Sequence, residues 1–251
     1  VVAMVFLPEL RVGGMQIFRS ESFDTLGKIL PRAGQIATQI SGLYVLFTLV
    51  CAMAYLYLGM SVFDATAHAM TTISTGGFAN YDASFATFAG PMEYVAAVFM
   101  ILAALPFVRY VQLVNGNPVA LRRDPQVRGF ILTIAVLVLL LVVLLEEGVH
   151  MSNEQAIREA LFNVTSIISG TGFASVDYMQ WGSFAIALFF FMGLIGGCAG
   201  STACSVKVFR YQLLFASIRA QLRRIRSPHG IFTPRYDGRP VSEEVLASVM
   251  T

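Results

Sequence analysis

Charge is scarce in this 251-residue chain: Asp, Glu, Lys and Arg together make up 13% of it, about half the share in a soluble domain. Disorder is excluded, because 56% of the residues are hydrophobic and a chain that apolar cannot leave its surface in water. The net charge is only +2, so no imbalance points to nucleic acid or to an acidic substrate. Cysteine is rare as well. Cys51, Cys198 and Cys204 all lie in or beside apolar runs, which excludes a disulfide-stapled secreted module. Cys198 and Cys204 have no His or further Cys nearby, so no zinc site is expected. No Ser/His/Asp or Cys/His set and no phosphate-cradling loop occurs, and no catalysis or cofactor is expected. What remains is a membrane protein.

The chain opens on the apolar stretch Val1–Leu7, without an initiator Met or a signal-peptide pattern. It closes on 240–251, which has the look of a helix just beginning. Both ends are expected to be pieces of helices, and the chain a piece of a longer protein.

Four long apolar runs stand out: 38–58, 91 to about 114, 129–145 and 182 to about 200. At 1.5 Å per residue each spans roughly 25–36 Å, enough for a hydrocarbon core of about 30 Å. The run 129–145 is almost wholly aliphatic, whereas Pro106 is expected to kink or end the run that carries it. Sixteen of the seventeen Lys and Arg fall in 9–37, 109–128 and 207–251. The opposite face, 59–90 with Glu93 and 146–181, holds only Arg158 among the bases, against eight acids. By the positive-inside rule the basic face is cytoplasmic. The acidic face looks outward, where it concentrates cations.

The two outward connections repeat one another. With an offset of 95, residues 64–82 meet 159–177 without a gap, and seven of nineteen positions are identical, among them Ser74/Ser169, Gly77/Gly172 and Asp82/Asp177. One unit therefore occurs twice: crossing helix, outward segment, crossing helix. Within each segment a short helical stretch is predicted, over 62–73 and over 154–168, three or four turns long, with Ser152 and Gln155 placed as a capping box. Next come Ser74, Thr75, Gly76 and Gly77, or Ser169, Gly170, Thr171 and Gly172, strings that do not continue a helix. That is the pattern of a re-entrant half-helix followed by a strand climbing back out. Unpaired backbone at such depth is tolerated only if buried or lining an aqueous path. A half-helix points its negative end at the membrane centre, which favours a cation there, and glycine-rich backbone can turn carbonyls toward an ion. A lone Gly-Gly-Phe would more often be a plain turn. The duplication between spanning runs is what favours a pore. His68 and its aligned Asn163 are expected to share a hydrogen-bonding role rather than to bind a metal.

From Gly193 to Ser205 the fourth run turns small, with Gly196, Gly197, Gly200, Ser201 and Thr202 in sequence. Two readings stay open: close helix packing through Gly-x-x-x-Gly spacing, or a break forming an intramembrane loop. The basic residues that follow, Lys207 to Arg226, suit a cytoplasmic face in contact with anionic lipid.

At these residues the chain resembles the Trk/Ktr/HKT superfamily of potassium transporters, and within it the bacterial TrkH-type membrane subunits. The stretches carrying the resemblance are 73–82, 166–178, Gly196-Gly-Cys-Ala-Gly-Ser-Thr202 followed by Lys207-Val-Phe-Arg210, and Val12-Gly-Gly-Met-Gln16. The resemblance implies an all-α polytopic membrane protein of four helix–pore loop–helix units around one pore, with two units here: 38–114 and 129–226, joined by a linker at 115–128. Residues 1–37 would be a helix end and linker, and 227–251 a linker into a further unit. It implies potassium uptake across the cytoplasmic (inner) membrane, with ion contacts at Ser74, Thr75, Gly76, Gly77, Ser169, Gly170, Thr171 and Gly172 and a gate at Gly196, Gly197, Gly200, Ser201 and Thr202. It further implies a homodimer and a cytoplasmic nucleotide-binding regulatory subunit. Where relatives continue with glycines, this chain has Ala203-Cys204-Ser205, so a stiffer loop is expected. A sodium-permeable or sodium-coupled relative and a broken-helix secondary carrier are the alternatives.

Overall fold

The computed structural model describes residues 33–148, 151–227, 233–236 and 239–241. The resemblance at 12–16 and the helix ends expected at 1–7 and 240–251 lie essentially outside those residues. Nine helices occur in the described part: α1 (Ala33–Tyr57), α2 (Val62–Ile73), α3 (Pro91–Ala103), α4 (Phe107–Val114), α5 (Val119–Arg123), α6 (Pro125–Gly148), α7 (Asn153–Ser169), α8 (Ser183–Leu194) and α9 (Val208–Arg226). Single 3₁₀ turns follow each outward loop, at Ser84–Phe88 and Tyr178–Trp181. An antiparallel pair, β1 (Arg235–Tyr236) and β2 (Arg239–Pro240), is the one sheet among the described residues.

Of the four runs expected to cross the membrane, two are continuous helices long and apolar enough to do so, Ala37–Tyr57 within α1 and Pro125–Leu145 within α6. The other two are interrupted. α3 and α4 meet at 89°, because Pro106 has no N–H to continue the ladder and its ring clashes with the preceding turn. α8 is 12 residues long, roughly 18 Å, and the chain past Leu194 runs extended and irregular to Lys207. With the offset of 95, the Ala104–Pro106 break falls on Ala199–Ser201, within the non-helical stretch. α8 itself ends earlier, Leu194 aligning with Phe99, so the two units lose their second helix about one turn apart.

The re-entrant helices sit inside this frame. α2 packs against α1 and α3, while α7 is wedged between α3 of the first unit and α6 of its own. Fully buried Phe85 joins the units: its ring lies 4.9 Å from that of Phe162 and 5.2 Å from that of Phe173, and its N–H donates to Ala174 O at 3.0 Å. Aromatic burial of this kind supplies much of the cohesion of a core. The outward faces of α1, α6 and α8 are apolar, with Leu49, Met53, Leu132, Leu139, Phe190 and Phe191 exposed, as a helix facing lipid requires.

One ion pair also crosses between units. Glu93, on α3, is 1% exposed; it accepts from Gly90 N at 3.0 Å and pairs with the Arg158 guanidinium on α7. Arg158 reaches Glu154 as well, at 3.1 Å. Removing one partner of a buried pair strands the other. Arg158→Ala is expected to lower stability by about 3 kcal/mol, and Glu93→Gln combined with Arg158→Gln by much less. Unfolding in detergent followed by circular dichroism checks this; equal losses for both variants would show that the pair does not join the units.

Candidate functional site: two re-entrant loops and the loop beneath them

Each re-entrant helix begins on a hydroxyl cap. Ser61 accepts from Asp64 N at 3.1 Å and donates to Asp64 Oδ2 at 2.7 Å, and Ser152 accepts from Gln155 N at 3.3 Å. The capping box expected at Ser152 is only half formed, because the Gln155 amide turns to Glu159 Oε1 at 2.8 Å. α7 has 17 residues, roughly 26 Å, so it is longer than the half-membrane element expected.

Both helices then end the same way. Left-handed backbone occurs at Thr75 (φ 52°) and Gly77 (φ 68°) in the first loop, and at Gly170 (φ 74°) and Gly172 (φ 84°) in the second. These are aligned positions at the offset of 95, so the repeat extends to main-chain geometry. Gly is the natural occupant of such a conformation, and a β-branched Thr there is strained. Equivalent side-chain ties hold each returning strand: Thr71 Oγ1 donates to Phe78 O at 2.9 Å, and Ser166 Oγ to Phe173 O at 2.6 Å. His68 and Asn163 share the bonding role expected of them. His68 Nδ1 bonds to Asp64 O at 2.8 Å and Asn163 Nδ2 to Glu159 O at 2.8 Å.

The loops touch through their main chains. A Cβ on Gly77 would lie 1.8 Å from Thr171 O and 2.8 Å from Thr171 C. The structure therefore brings Gly76–Gly77 and Thr171–Gly172 together at one place. Ser74 and Ser169 are not equivalent in surroundings. Ser74 is exposed, whereas Ser169 is buried with its hydroxyl 2.7 Å from Thr171 Oγ1. At the rim formed by the start of α2, hydrogen bonds from Asn80 (2.8 Å), Ser61 (2.7 Å) and Tyr81 (3.1 Å) hold the Asp64 carboxyl below its usual 3.8. These bonds steady the rim at neutral pH and are lost as acidification protonates the carboxylate.

Beneath the two loops lies the chain from Ile195 to Lys207. Its neck is closed by Gly196 N to Val206 O at 2.9 Å and Val208 N to Gly197 O at 3.1 Å. Space there is tight, since a Cβ on Gly196 would lie 2.1 Å from Cys204 O, and one on Gly197 2.5 Å from the Ala203 Cβ. The loop docks on the other broken helix: Cys198 N donates to Ala104 O at 3.0 Å, Thr202 N to Ala103 O at 3.3 Å, and Phe107 N to Gly200 O at 3.0 Å. Upward it meets the two re-entrant loops. Thr75 Oγ1 lies 2.8 Å from Thr202 O, and a Cβ on Gly170 would stand 3.0 Å from that of Cys204.

Of the two readings of the small-residue run, the helix-packing one is thus corrected. α8 ends at Leu194, so Gly196, Gly197 and Gly200 are not helical, and they serve close approach within a loop. Ser205 adopts φ 63°, a conformation easier for glycine, and its hydroxyl donates to Gly193 O at 2.9 Å. Cys198 is buried and Cys204 exposed, so the two do not form a pair.

Three contributors escape the sequence reading. They are the Ala103 and Ala104 carbonyls freed by Pro106, the Gln126 amide whose Oε1 accepts from Ala199 N at 2.8 Å, and the Lys207 ammonium bonded to Ala203 O. Alignment of Pro106 with Ser201 was the available signal for the first. Nothing local marks Gln126.

Gly77→Ala must push the loops apart until its contact reaches the ordinary 3.4 Å, besides straining φ. It is expected to cost about 3 kcal/mol. Gly59→Ala, with positive φ but nothing within 4 Å, should cost about 1 kcal/mol. Detergent unfolding of both variants checks the difference, and similar losses would mean that the loops do not abut.

Comparison with known proteins agrees with this construction. A family model described as "TrkH: Cation transport protein" matches residues 1–251. The Trk system potassium uptake protein TrkI of Halomonas elongata is 40% identical, over 100% of this chain and 51% of its own length. The Trk system potassium uptake protein TrkH of Escherichia coli K12 is 34% identical, over 99% of this chain and 53% of its own. The crystal structure of the potassium transporter TrkH from Vibrio parahaemolyticus superposes with a TM-score of 0.84 at 30% identity, covering 99% of this chain and 51% of that one. The chain thus spans about half the length of the relatives it matches. With its whole length matched, it belongs to the TrkH family of cation transport proteins.

Proposed function

We propose that the full-length protein carrying this chain takes up potassium across the cytoplasmic membrane, and that this chain supplies two of its filter loops and the gate beneath them. The observation that carries the reading is the main-chain contact of Gly77 with Thr171 and Gly172, directly above a loop built from small residues. Carbonyls of Thr75, Gly76 and Gly77, and of Gly170, Thr171 and Gly172, would replace the water shell of the ion. Ser74, being exposed, is placed to add a hydroxyl at the inner end, whereas Ser169 acts by holding Thr171. The loop over Gly196–Ser205 would close the path below. The names of the relatives, potassium uptake proteins, agree.

Orientation follows from charge. Acids such as Asp64, Asp82 and Asp177 stand at the mouth and draw cations in, while the arginines of α9 lie in the cytoplasm. There they offer a surface for a nucleotide-binding regulatory subunit, and a homodimer is the assembly we expect. The two broken helices are also what a midplane carrier would use, so the assay has to separate channel-like flux from obligatory exchange.

Expression of the full-length protein in a potassium-uptake-deficient bacterium should restore growth at low potassium. Gly172→Ala should cut rubidium uptake about tenfold or more, the cost of losing roughly 1.4 kcal/mol of ion stabilisation. Uptake of sodium in preference would favour the sodium-permeable reading. Strict counter-exchange would favour the carrier. Undiminished flux in both Gly77 and Gly172 variants would sink the filter assignment.

A further inference from the structure

We propose that the cleft between α5 and the start of α6 binds the phosphate of an anionic phospholipid. Pro118, Val119, Arg122, Arg123 and Arg128 line an open cleft of about 700 Å³, and the three arginines are exposed. From residue 94 to residue 145 the only acid is Asp124. That carboxylate is already committed: it is 4% exposed and accepts from Arg109 Nε at 2.6 Å and from Gln126 N at 2.8 Å. Among the described residues, no ion pair involves Arg122, Arg123 or Arg128. Three guanidiniums are thus gathered around one concavity with their charge unanswered, and a phosphate is the group whose geometry they match.

The surroundings select a lipid over a soluble phosphate. One turn beyond Arg128, Ile131 and Leu132 are exposed on α6 at 42% and 64%, and Val119 and Val114 are exposed beside the cleft. The cleft therefore sits where the apolar stripe of a spanning helix gives way to the polar linker. That is headgroup depth, with room for acyl chains along Ile131 and Leu132. Basic pockets at the cytoplasmic ends of spanning helices hold anionic headgroups on this principle, each Lys or Arg contributing about fivefold to affinity. No residue of the basic α9 lines the cleft, although α9 packs on the start of α6 with Gln212 Nε2 donating to Pro125 O at 2.8 Å; the site rests on the orientation proposed above.

The test uses the full-length protein in detergent micelles, titrated with palmitoyl-oleoyl phosphatidylglycerol or the matching phosphatidylcholine, with bound lipid read by native mass spectrometry. Phosphatidylglycerol should bind about a hundredfold tighter than phosphatidylcholine. R122Q/R123Q/R128Q should erase that preference, and R122K/R123K/R128K should keep most of it. Because the Lys variant preserves charge, a folding defect in the Gln variant is recognised by comparing the two on gel filtration. Absence of a phosphatidylglycerol preference, or its persistence in the Gln variant, would overturn the proposal. So would displacement of the lipid by millimolar glycerol 3-phosphate, which would assign the cleft to a soluble phosphate. Val119→Cys labelled by an impermeant maleimide reports the orientation independently. Labelling from the outside of intact cells would topple the membrane orientation and this site together. Labelling only in inverted vesicles, with no lipid preference, would topple the lipid site alone.

Discussion

A backbone that breaks helix inside a hydrocarbon layer must find partners for every N–H and C=O it releases, since no water is there to take them. This fold meets that constraint by breaking two helices about one turn apart and letting each answer the other. Carbonyls of Ala103 and Ala104 receive the N–H groups of Thr202 and Cys198, and the Phe107 N–H goes to Gly200 O. The arrangement needs close main-chain approach, which is why small residues fill 196–205. It also fixes the position of that segment directly below Thr75 and Gly170.

Above this floor, the re-entrant loops depend on supports that come from outside the loops themselves. Phe85 reaches from the first unit into Phe162 and Phe173 of the second, and the Glu93–Arg158 pair closes the outer side. Two short strands without ladder partners of their own are thereby held by aromatic packing, by hydroxyl ties at Thr71 and Ser166, and by one ion pair. Local helix propensity contributes little to such an arrangement, because the informative residues are those in left-handed conformation.

Much of this was legible from the residues. Apolar length marked α1 and α6, the offset of 95 marked both re-entrant segments, and their glycines marked the turning points. Pro106 announced the kink between α3 and α4. Less could be read where geometry is decided by tertiary partners. The extent of α7 depends on packing against α3 and α6. The swap of Thr75 for Gly170 at one left-handed position gives no local hint that Thr75 bonds across to Thr202. The burial of Ser169, in contrast to Ser74, is decided by how each loop packs in the fold and not by its local bonds to Ser166 and Thr171, and a single sequence does not rank such packing. Gln126 is invisible for the same reason: its value lies in the Ala199 N–H it meets, 73 residues on.

The hydroxyl of Thr75 stands between two carbonyls, its neighbour's and that of Thr202. Any outward swing of the lower segment must surrender this bond and hand the hydroxyl back to the strand above. If cations bind at the loops as proposed, their binding and the displacement of the lower segment are thermodynamically linked, each altering the equilibrium of the other by the same factor. A cation lodged against these oxygens would set how long the door beneath it stays shut.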